Sequence, residues 1–262
     1  DLPDLDLIKE EKCFSLKEIF DMNTAVVMCS GIKKQQGDNL DIFSKNLTMA
    51  VNICKLLETN PVRRFIFFSS AEVYGSETHN ENISEETPVN PTTYYGLAKY
   101  TSEELLRKSV TGHQEGSLVV IRPPLIYGPG DQPCYGPSAF VAAALNNKPI
   151  TVWGDGKEKR EFIFVEDIVK LVYQLTFDTA APGVFNTATG KNYQFMEVIV
   201  AISSLTNSKP EIYFKERTKE KVDQGFCNDK LTDVLPNFSF TSLRDGLQKT
   251  IDFHKRPLPI AR

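Results

Sequence analysis

The chain has 262 residues, of which 41% are hydrophobic and 24% charged, enough for a large core in one domain or in two unequal lobes. Its net charge is −4 and the sequence has no long basic run. The clustered Lys and Arg that nucleic-acid recognition requires are therefore missing, which argues against a nucleic-acid-binding protein. No run approaches the roughly 18 apolar residues of a membrane span. We therefore expect neither a nucleic-acid nor a membrane partner.

The first residues and the cysteines bear on the compartment. The acidic start, DLPDLDLIKEE, lacks the charged and apolar regions of a signal peptide. The five cysteines are scattered without a CxxC pair, which indicates neither a disulfide framework nor a zinc site. The three histidines, His79, His113 and His254, are equally scattered. We predict an unsecreted protein of the reducing cytoplasm, without a bound metal.

Short apolar runs alternate with amphipathic segments in the first half of the chain. Buried parallel strands are predicted at TAVVMCSG (24–31), RRFIFFSS (63–70) and GSLVVIRPP (116–124). Helices are predicted over 41–58 and from about Thr93. Strands that alternate with helices indicate βαβ units and an α/β doubly wound parallel sheet, with its site at the carboxyl ends of the strands.

The pattern loosens after YGPGDQP. We predict a helix at about 138–147, strands at ITVWG and REFIFV, a helix from Asp167, a strand and turn at GVFNTATG, a helix at FMEVIVAISSLT and a terminal amphipathic helix at TSLRDGLQKTIDFHK. These shorter, mixed elements indicate a smaller lobe that caps the strand ends.

A tyrosine and a lysine follow the second strand at a spacing of four. Tyr95 and Lys99, in YYGLAK, would share one helix face, about 6 Å apart along the axis. A lysine ammonium beside a phenol lowers the tyrosine pKa from about 10 and gives a usable base. Ser70, at the end of the preceding strand, adds a second hydroxyl, and such a trio suits hydride transfer from a carbinol. A chance pair with a solvated lysine is the alternative.

Four motifs occur together in one order: FFSSAEVYG, YYGLAK, IRPPLIYGPGD and VWGDGKEKREFIFVEDIV. Over residues 24 to about 253 the sequence resembles the extended short-chain dehydrogenase/reductase family, the nucleotide-sugar epimerases and dehydratases such as UDP-galactose 4-epimerase. The resemblance implies a Rossmann-like cofactor domain at 1–135, with strand segments from about 160–190, and a substrate-binding lobe mostly at 136–262. It also implies NAD or NADP as cofactor, a nucleotide-linked sugar as substrate and a homodimer.

The resemblance assigns roles to individual residues. The catalytic trio falls on Ser70, Tyr95 and Lys99, and Glu72 is either a proton shuttle or a solvated carboxylate. The cofactor contacts fall on Cys29, Ser30, Gly31, Lys33, Asn46, Ser69, Tyr95, Lys99 and Pro124. The substrate contacts fall on Ser70, Glu72 and Arg160, with Arg160 at the diphosphate, a task that suits a planar charged fork. Surface positions are the alternatives for Lys33, Asn46 and Arg160.

Three features depart from the family pattern. The glycine-rich GxxGxxG turn for the pyrophosphate is missing, because the first glycine is Gly31. We expect a first strand, turn and helix of roughly fifty residues to belong upstream; a natural truncation without cofactor binding is the alternative. Ala71 replaces the aspartate of dehydratases, which argues against a 4,6-dehydratase. Leu125 replaces an asparagine of many epimerases, and RPPLIYGPGD looks closer to 4-ketoreductases.

The sequence therefore predicts an NAD(P)-dependent epimerase or 4-ketoreductase that transfers a hydride at C4 of a nucleotide-linked sugar. A dehydratase or decarboxylase of the same family is one alternative. A non-catalytic binding module is another. Arg160 disfavours a steroid-type or flavonoid-type reductase, because a lipophilic substrate has no diphosphate to pair with it.

Overall fold

The structure, a computed structural model, describes residues 5–112, 116–134, 136–218 and 220–255. Within these ranges the helices are α1 Glu10–Phe14, α2 Leu40–Thr59, α3 Tyr94–Thr111, α4 Gly136–Leu145, α5 Val165–Phe177, α6 Phe195–Thr206, α7 Asp229–Val234 and α8 Leu243–Lys255. The strands are β1 Ala25–Met28, β2 Arg64–Phe68, β3 Asn80–Ile83, β4 Ser117–Arg122, β5 Leu125–Tyr127, β6 Ile150–Trp153, β7 Lys159–Phe164, β8 Gly183–Asn186, β9 Asn192–Gln194, β10 Ile212–Lys215 and β11 Gln224–Phe226.

The main sheet has four parallel strands in the order β1-β2-β4-β8. Its central strands are runs of Val, Ile and Phe that are buried on both faces, as expected when helices cover a parallel sheet. Helices α2 and α3 share a core with one face, which includes Leu56, Phe65 and Leu106. Helix α5 packs on the other face through Ile168, Leu171 and Leu175. The predicted α/β doubly wound parallel sheet is confirmed.

Side-chain caps fix where the two helices of the first face begin. The Asn39 side chain accepts the backbone N–H of Ile42 at 3.0 Å at the start of α2. The Thr93 hydroxyl accepts the N–H of Gly96 at 3.0 Å at the start of α3. Each cap satisfies an N–H that has no partner within its helix. The Thr93 cap places Tyr95 and Lys99 in the first two turns of α3.

A second core lies beyond the main sheet. It is formed by residues of β5 to β7, α4, α6 and α8, including Phe140, Phe162, Val198 and Leu247. Its strands form two small groups, β5-β7-β9 and β10-β6. Helix α5 and strand β8 belong instead to the core of the main sheet. The predicted domain limits stay a prediction.

Several short elements were not expected from the sequence. Strands β3 and β11 are far apart in the sequence but pair in parallel, Asn80 with Gln224 and Ile83 with Phe226, with an irregular register between these two pairs. Three of the four residues of β3 are polar, so the strand carries no apolar alternation that would predict it. Its formation depends on the pairing with β11 rather than on a local pattern.

None of the helices within the described ranges is both long and apolar enough to cross a lipid bilayer.

All five cysteines are free. His113 lies outside the described residues.

Candidate active site

Ser70, Tyr95 and Lys99 line one cavity of about 490 Å³ beyond the carboxyl ends of β2 and β4. Ser70 directly follows β2 and caps a 3₁₀ turn over Ala71–Tyr74, where its hydroxyl accepts the N–H of Glu72 at 3.2 Å. The Ser70 hydroxyl is close enough to the Tyr95 phenol to lower the pKa of that phenol. The Lys99 Nζ lies 5.8 Å from the centre of the Tyr95 ring. The structure thus brings the three predicted catalytic side chains together.

The Lys99 ammonium is buried beneath the Cys29–Gly31 loop. Its Nζ donates to the carbonyl of Phe68 at 2.6 Å, and a Cβ at Gly31 would lie 3.1 Å from it. Only glycine therefore leaves this cation its full space. Burial lowers the pKa of Lys99 to about 8, although the charges of Cys29 and Glu103 act in the opposite direction.

The pKa of Tyr95 differs from the expectation. Burial and the nearby Glu72 carboxylate raise the pKa of Tyr95 to about 12, while the neighbouring Ser70 hydroxyl acts in the opposite direction. The Lys99 ammonium, which was expected to lower this pKa, donates instead to the carbonyl of Phe68. In this arrangement Tyr95 is a neutral phenol near pH 7, suited to donate a proton.

The predicted cofactor residues lie around the same cavity. Cys29, Gly31, Lys33, Ser69 and Pro124 line it together with Tyr95 and Lys99. Lys33 extends to within 4.0 Å of Asp131 and remains largely exposed. The hydroxyl oxygen of Ser30 is buried and has no hydrogen-bond partner within the described part of the chain. The five lining positions surround one groove next to the trio, and Ser30 is not among the residues that line it.

Asn46 holds the loop after β1 from helix α2. Its Oδ1 accepts the N–H of Ile32 at 2.7 Å, and its Nδ2 donates to the carbonyl of the same residue at 3.0 Å. The side chain is buried, so the alternative of a surface asparagine is wrong. A contact between Asn46 and the cofactor stays a prediction, because the amide already pairs with the backbone.

A buried ion pair lies directly under the trio. Glu103, one helical turn after Lys99, pairs with Arg122 of β4 at 2.6 Å, and both side chains are almost fully enclosed. The Glu103 carboxylate also accepts the Ser69 hydroxyl, so Ser69 is directed towards this pair. Arg122 further donates to the Tyr74 hydroxyl at 3.0 Å. This network joins α3, β4 and the turn after β2 that Ser70 caps. No motif in the sequence predicts it.

Lys34 is a second residue that sequence reasoning missed. It lies in a 3₁₀ turn over Lys34–Gln36 and forms an ion pair with Glu72. Lys34 lines all three cavities of this region. Glu72 keeps 22% of its side-chain exposure and lines two of these cavities together with Ser70, so the choice between a proton shuttle and a solvated carboxylate stays a prediction.

Arg160 lines a larger cavity, of about 840 Å³, whose other lining residues include Phe140 and Phe195 of the second core. Its guanidinium forms an ion pair with Glu158 and donates to the carbonyls of Lys159 and Val222. Arg217 lies in the same cavity and binds the other oxygen of Glu158. No local motif predicts Arg217, which folding places against Gly154, where a Cβ would collide with the guanidinium.

One group of potential metal ligands lies outside these cavities. Ligand atoms of His79, Glu81 and Asp223 are within 4.8 Å of one another. The His79 Nδ1 accepts the N–H of Asp223 at 3.1 Å, Glu81 accepts Lys159 at 2.8 Å, and Asp223 accepts Lys221 at 2.7 Å. These atoms are engaged by protein donors, and the cluster joins β3 to β11.

Comparison with known proteins agrees with this geometry. The profile of the NAD dependent epimerase/dehydratase family matches residues 2–188. The chain belongs to this family. An uncharacterized UDP-glucose epimerase of Bacillus subtilis (strain 168) is 25% identical over 245 residues, which cover 91% of this chain and 76% of the relative.

The chain is also similar to two other proteins. A trifunctional UDP-glucose 4,6-dehydratase/epimerase/reductase of Arabidopsis thaliana is 27% identical over 221 residues, 81% of this chain and only 32% of the relative. The solved structure of MoeE5 in complex with UDP-glucuronic acid and NAD superimposes with a TM-score of 0.82 at 25% identity, covering 98% of this chain and 85% of that protein. Dependence on NAD is a property of the family.

Proposed function

We propose that the protein acts at C4 of a nucleotide-linked sugar, as an NAD(P)-dependent epimerase or 4-ketoreductase. The observation that carries this proposal is the continuity of the cavities. Ser70 lines the cavity of Tyr95 and Lys99 and also a second cavity, of about 510 Å³, that reaches Arg160. A sugar bound at the trio would thus have its diphosphate near Arg160. The UDP-sugars named for the relatives support this class of substrate.

Ser70 and Tyr95 would handle the proton at the C4 oxygen. Tyr95 donates its proton to a 4-keto oxygen as the hydride arrives, and the phenolate left by that step takes a proton back from the 4-hydroxyl in the reverse direction, while Ser70 orients that oxygen by a hydrogen bond. Lys99 would hold its ammonium beside the pair, with N–H donors left over beyond the one that binds the Phe68 carbonyl. For an epimerase or a ketoreductase no separate acid at position 71 is required, in agreement with Ala71.

The residues around the groove fit a nicotinamide dinucleotide. The Ser30 hydroxyl is buried without a partner in the described ranges, which suits a hydrogen bond to a bound polar group. Gly31 leaves space above the Lys99 ammonium, and that cation suits ribose hydroxyls. Cys29, Ser30, Gly31, Tyr95 and Lys99 would hold the cofactor here. When bound, NAD supplies the acceptor and donor of the hydride.

Two arginines would bind the nucleotide diphosphate. Arg160 and Arg217 enter one cavity from different elements and share the Glu158 carboxylate. Guanidinium groups bind phosphate oxygens through two parallel N–H donors, which gives both affinity and orientation. Glu158 would hold the two groups in place before the ligand arrives. A homodimer, a cytoplasmic location and the choice between NAD and NADP stay predictions.

Mass spectrometry tests this function. The purified full-length protein is denatured, and the nucleotide that it releases is identified. An epimerase returns its hydride within one catalytic cycle, so it should retain NAD and interconvert UDP-sugars without added cofactor. A 4-ketoreductase should be empty and should consume NAD(P)H with a UDP-4-keto sugar. A protein that retains no nucleotide and turns over neither kind of substrate would be the non-catalytic binding module instead.

A further inference from the structure

The Lys34–Glu72 ion pair occupies the part of the site where the sugar would lie. Lys34 and Glu72 both line the 510 Å³ cavity, whose other lining residues include Ser70 and Arg160. A sugar that joins a C4 oxygen at Ser70 to a diphosphate near Arg160 must pass through this cavity. Its substituents would therefore meet the ammonium and the carboxylate.

The pair is fixed and only partly accessible. The side chains of Lys34 and Glu72 retain 35% and 22% of their exposure. The second Glu72 oxygen accepts the Thr93 hydroxyl at 3.5 Å, so the carboxylate is held from the 3₁₀ turn of Lys34 and from the start of α3. Charges in such a half-buried site are screened less than on an open surface.

The charges that face this cavity are already engaged. Its cations are Lys34 and Arg160, and its accessible carboxylates are Glu72 and Asp38, of which Asp38 accepts the N–H of Tyr95 at 3.0 Å. Arg160 is already paired with Glu158, and Lys34 with Glu72. A carboxylate on the incoming sugar would find no unpaired cation among these lining residues and would approach the Glu72 oxygens.

We propose that the Lys34–Glu72 pair selects nucleotide sugars whose sugar is uncharged and rejects uronates. This inference rests on the proposed function. Hydroxyl groups of a neutral hexose can donate to Glu72 while Lys34 keeps its partner. The carboxylate of a uronate would lie beside the Glu72 carboxylate, with only the Lys34 ammonium to neutralise both. Repulsion between like charges is a recognised means of rejecting a competing ligand. Glu72 thereby determines specificity, in addition to any part in proton transfer.

Calorimetry on the NAD-loaded protein can test this with UDP, UDP-glucose and UDP-glucuronate as probes. Glu72→Gln keeps the shape of the side chain and leaves Lys34 as a free cation. Lys34→Met does the opposite and leaves Glu72 without its ion pair. Glu166→Gln is the matched control, because Glu166 forms a comparable pair with Lys249 at 2.6 Å on the surface.

The wild-type protein should bind UDP-glucose at least about tenfold more tightly than UDP-glucuronate. Glu72→Gln should reduce this preference at least about tenfold, Lys34→Met should increase it, and Glu166→Gln should leave it unchanged. UDP itself should bind all four proteins alike, since its phosphates lie near the arginines. An unchanged preference in Glu72→Gln, or an equal change in Glu166→Gln, would overturn the inference while UDP binding still supported the proposed function. Failure of all four proteins to bind UDP would overturn both.

Discussion

Lys99 is held in a site that disfavours its own charge. Its side chain is 6% exposed, and burial lowers the pKa from 10.5 to about 8. The hydrogen bond to Phe68 and the space under Gly31 place the ammonium where a bound cofactor would compensate it. The side chain is thus positioned for a ligand at some cost to the stability of the free protein.

Replacing Lys99 with Met should therefore remove a dependence of stability on pH. Between pH 8 and 10.5 the unfolded chain binds a proton at Lys99 that the folded protein does not bind, so the free energy of unfolding rises with pH. Over that window the wild type should gain up to about 3 kcal/mol relative to the variant. Urea unfolding at pH values from 7 to 10.5 measures this. A constant difference between the two proteins would contradict the assignment.

Sequence motifs identified only part of the site. Ser70, Tyr95 and Lys99 could be predicted because they lie in the motifs FFSSAEVYG and YYGLAK, which resemble those of the family. Lys34 and Arg217 could not, because no spacing links them to Glu72 or Glu158, and only the folded chain brings these charges together. The raised pKa of Tyr95 was missed for the same reason, since it depends on burial and on the nearby Glu72 carboxylate.

Helix α3 carries both catalytic candidates, and its position depends on one buried ion pair. Glu103 of α3 binds Arg122 of β4, and the same carboxylate accepts Ser69 at the end of β2. Gly96 lets the helix approach the serine turn, since a Cβ there would lie 2.6 Å from the carbonyl oxygen of Glu72. These contacts set the distance between Tyr95 and Ser70.

Glu103→Gln should destabilise the protein by about 3–5 kcal/mol, because it leaves the Arg122 guanidinium buried without its counter-charge. Glu104→Gln, the next residue, is the matched control: Glu104 pairs with Arg107 at 3.2 Å on the exposed side of the same helix. That change should cost less than about 1 kcal/mol. Denaturant unfolding measures the free energy of unfolding of both variants. Equal losses would show that the buried pair stabilises the protein no more than the exposed pair does.

Elements with a strong apolar pattern were predictable, whereas elements formed by pairing were not. The predicted helix at 41–58 is α2 Leu40–Thr59, and the strand at 63–70 is β2 Arg64–Phe68, because both present continuous apolar faces to the core. Strand β10 exposes three of its four residues and exists through its pairing with β6. Such a strand leaves little periodic signal in the sequence.

The cavities between the main sheet and the second core connect the proposed reaction site at Ser70 with the proposed diphosphate site at Arg160 and Arg217. Arg160 donates to two backbone carbonyls and to Glu158, so fewer of its five N–H donors face the cavity. The only recorded partner of Arg217 among the described residues is Glu158. Arg217 should therefore contribute more to phosphate binding than Arg160.

Arg217→Ala should weaken UDP binding by about tenfold to a hundredfold, the effect of one or two charge-assisted hydrogen bonds. Arg160→Ala should weaken it less and should also lower the stability, because two carbonyls lose their donor. Both changes should raise KM while kcat stays close to the wild-type value, the result of lost uniform binding. The exposed Arg63 supplies the control Arg63→Ala. Unchanged UDP affinity in both cavity variants would place the diphosphate elsewhere.

The turnover of Tyr95→Phe tests the central claim most directly. Phenylalanine keeps the ring and removes only the hydroxyl, so the fold and the affinity for UDP-sugar should be retained. Loss of a general acid/base should lower kcat by about 10²- to 10⁴-fold. The measurement is kcat of the NAD-loaded variant on UDP-glucose and, for a reductase, on a UDP-4-keto sugar, with the Kd for UDP-sugar determined in parallel. A kcat near that of the wild type would contradict the proposed role of Tyr95 and the mechanism built on it.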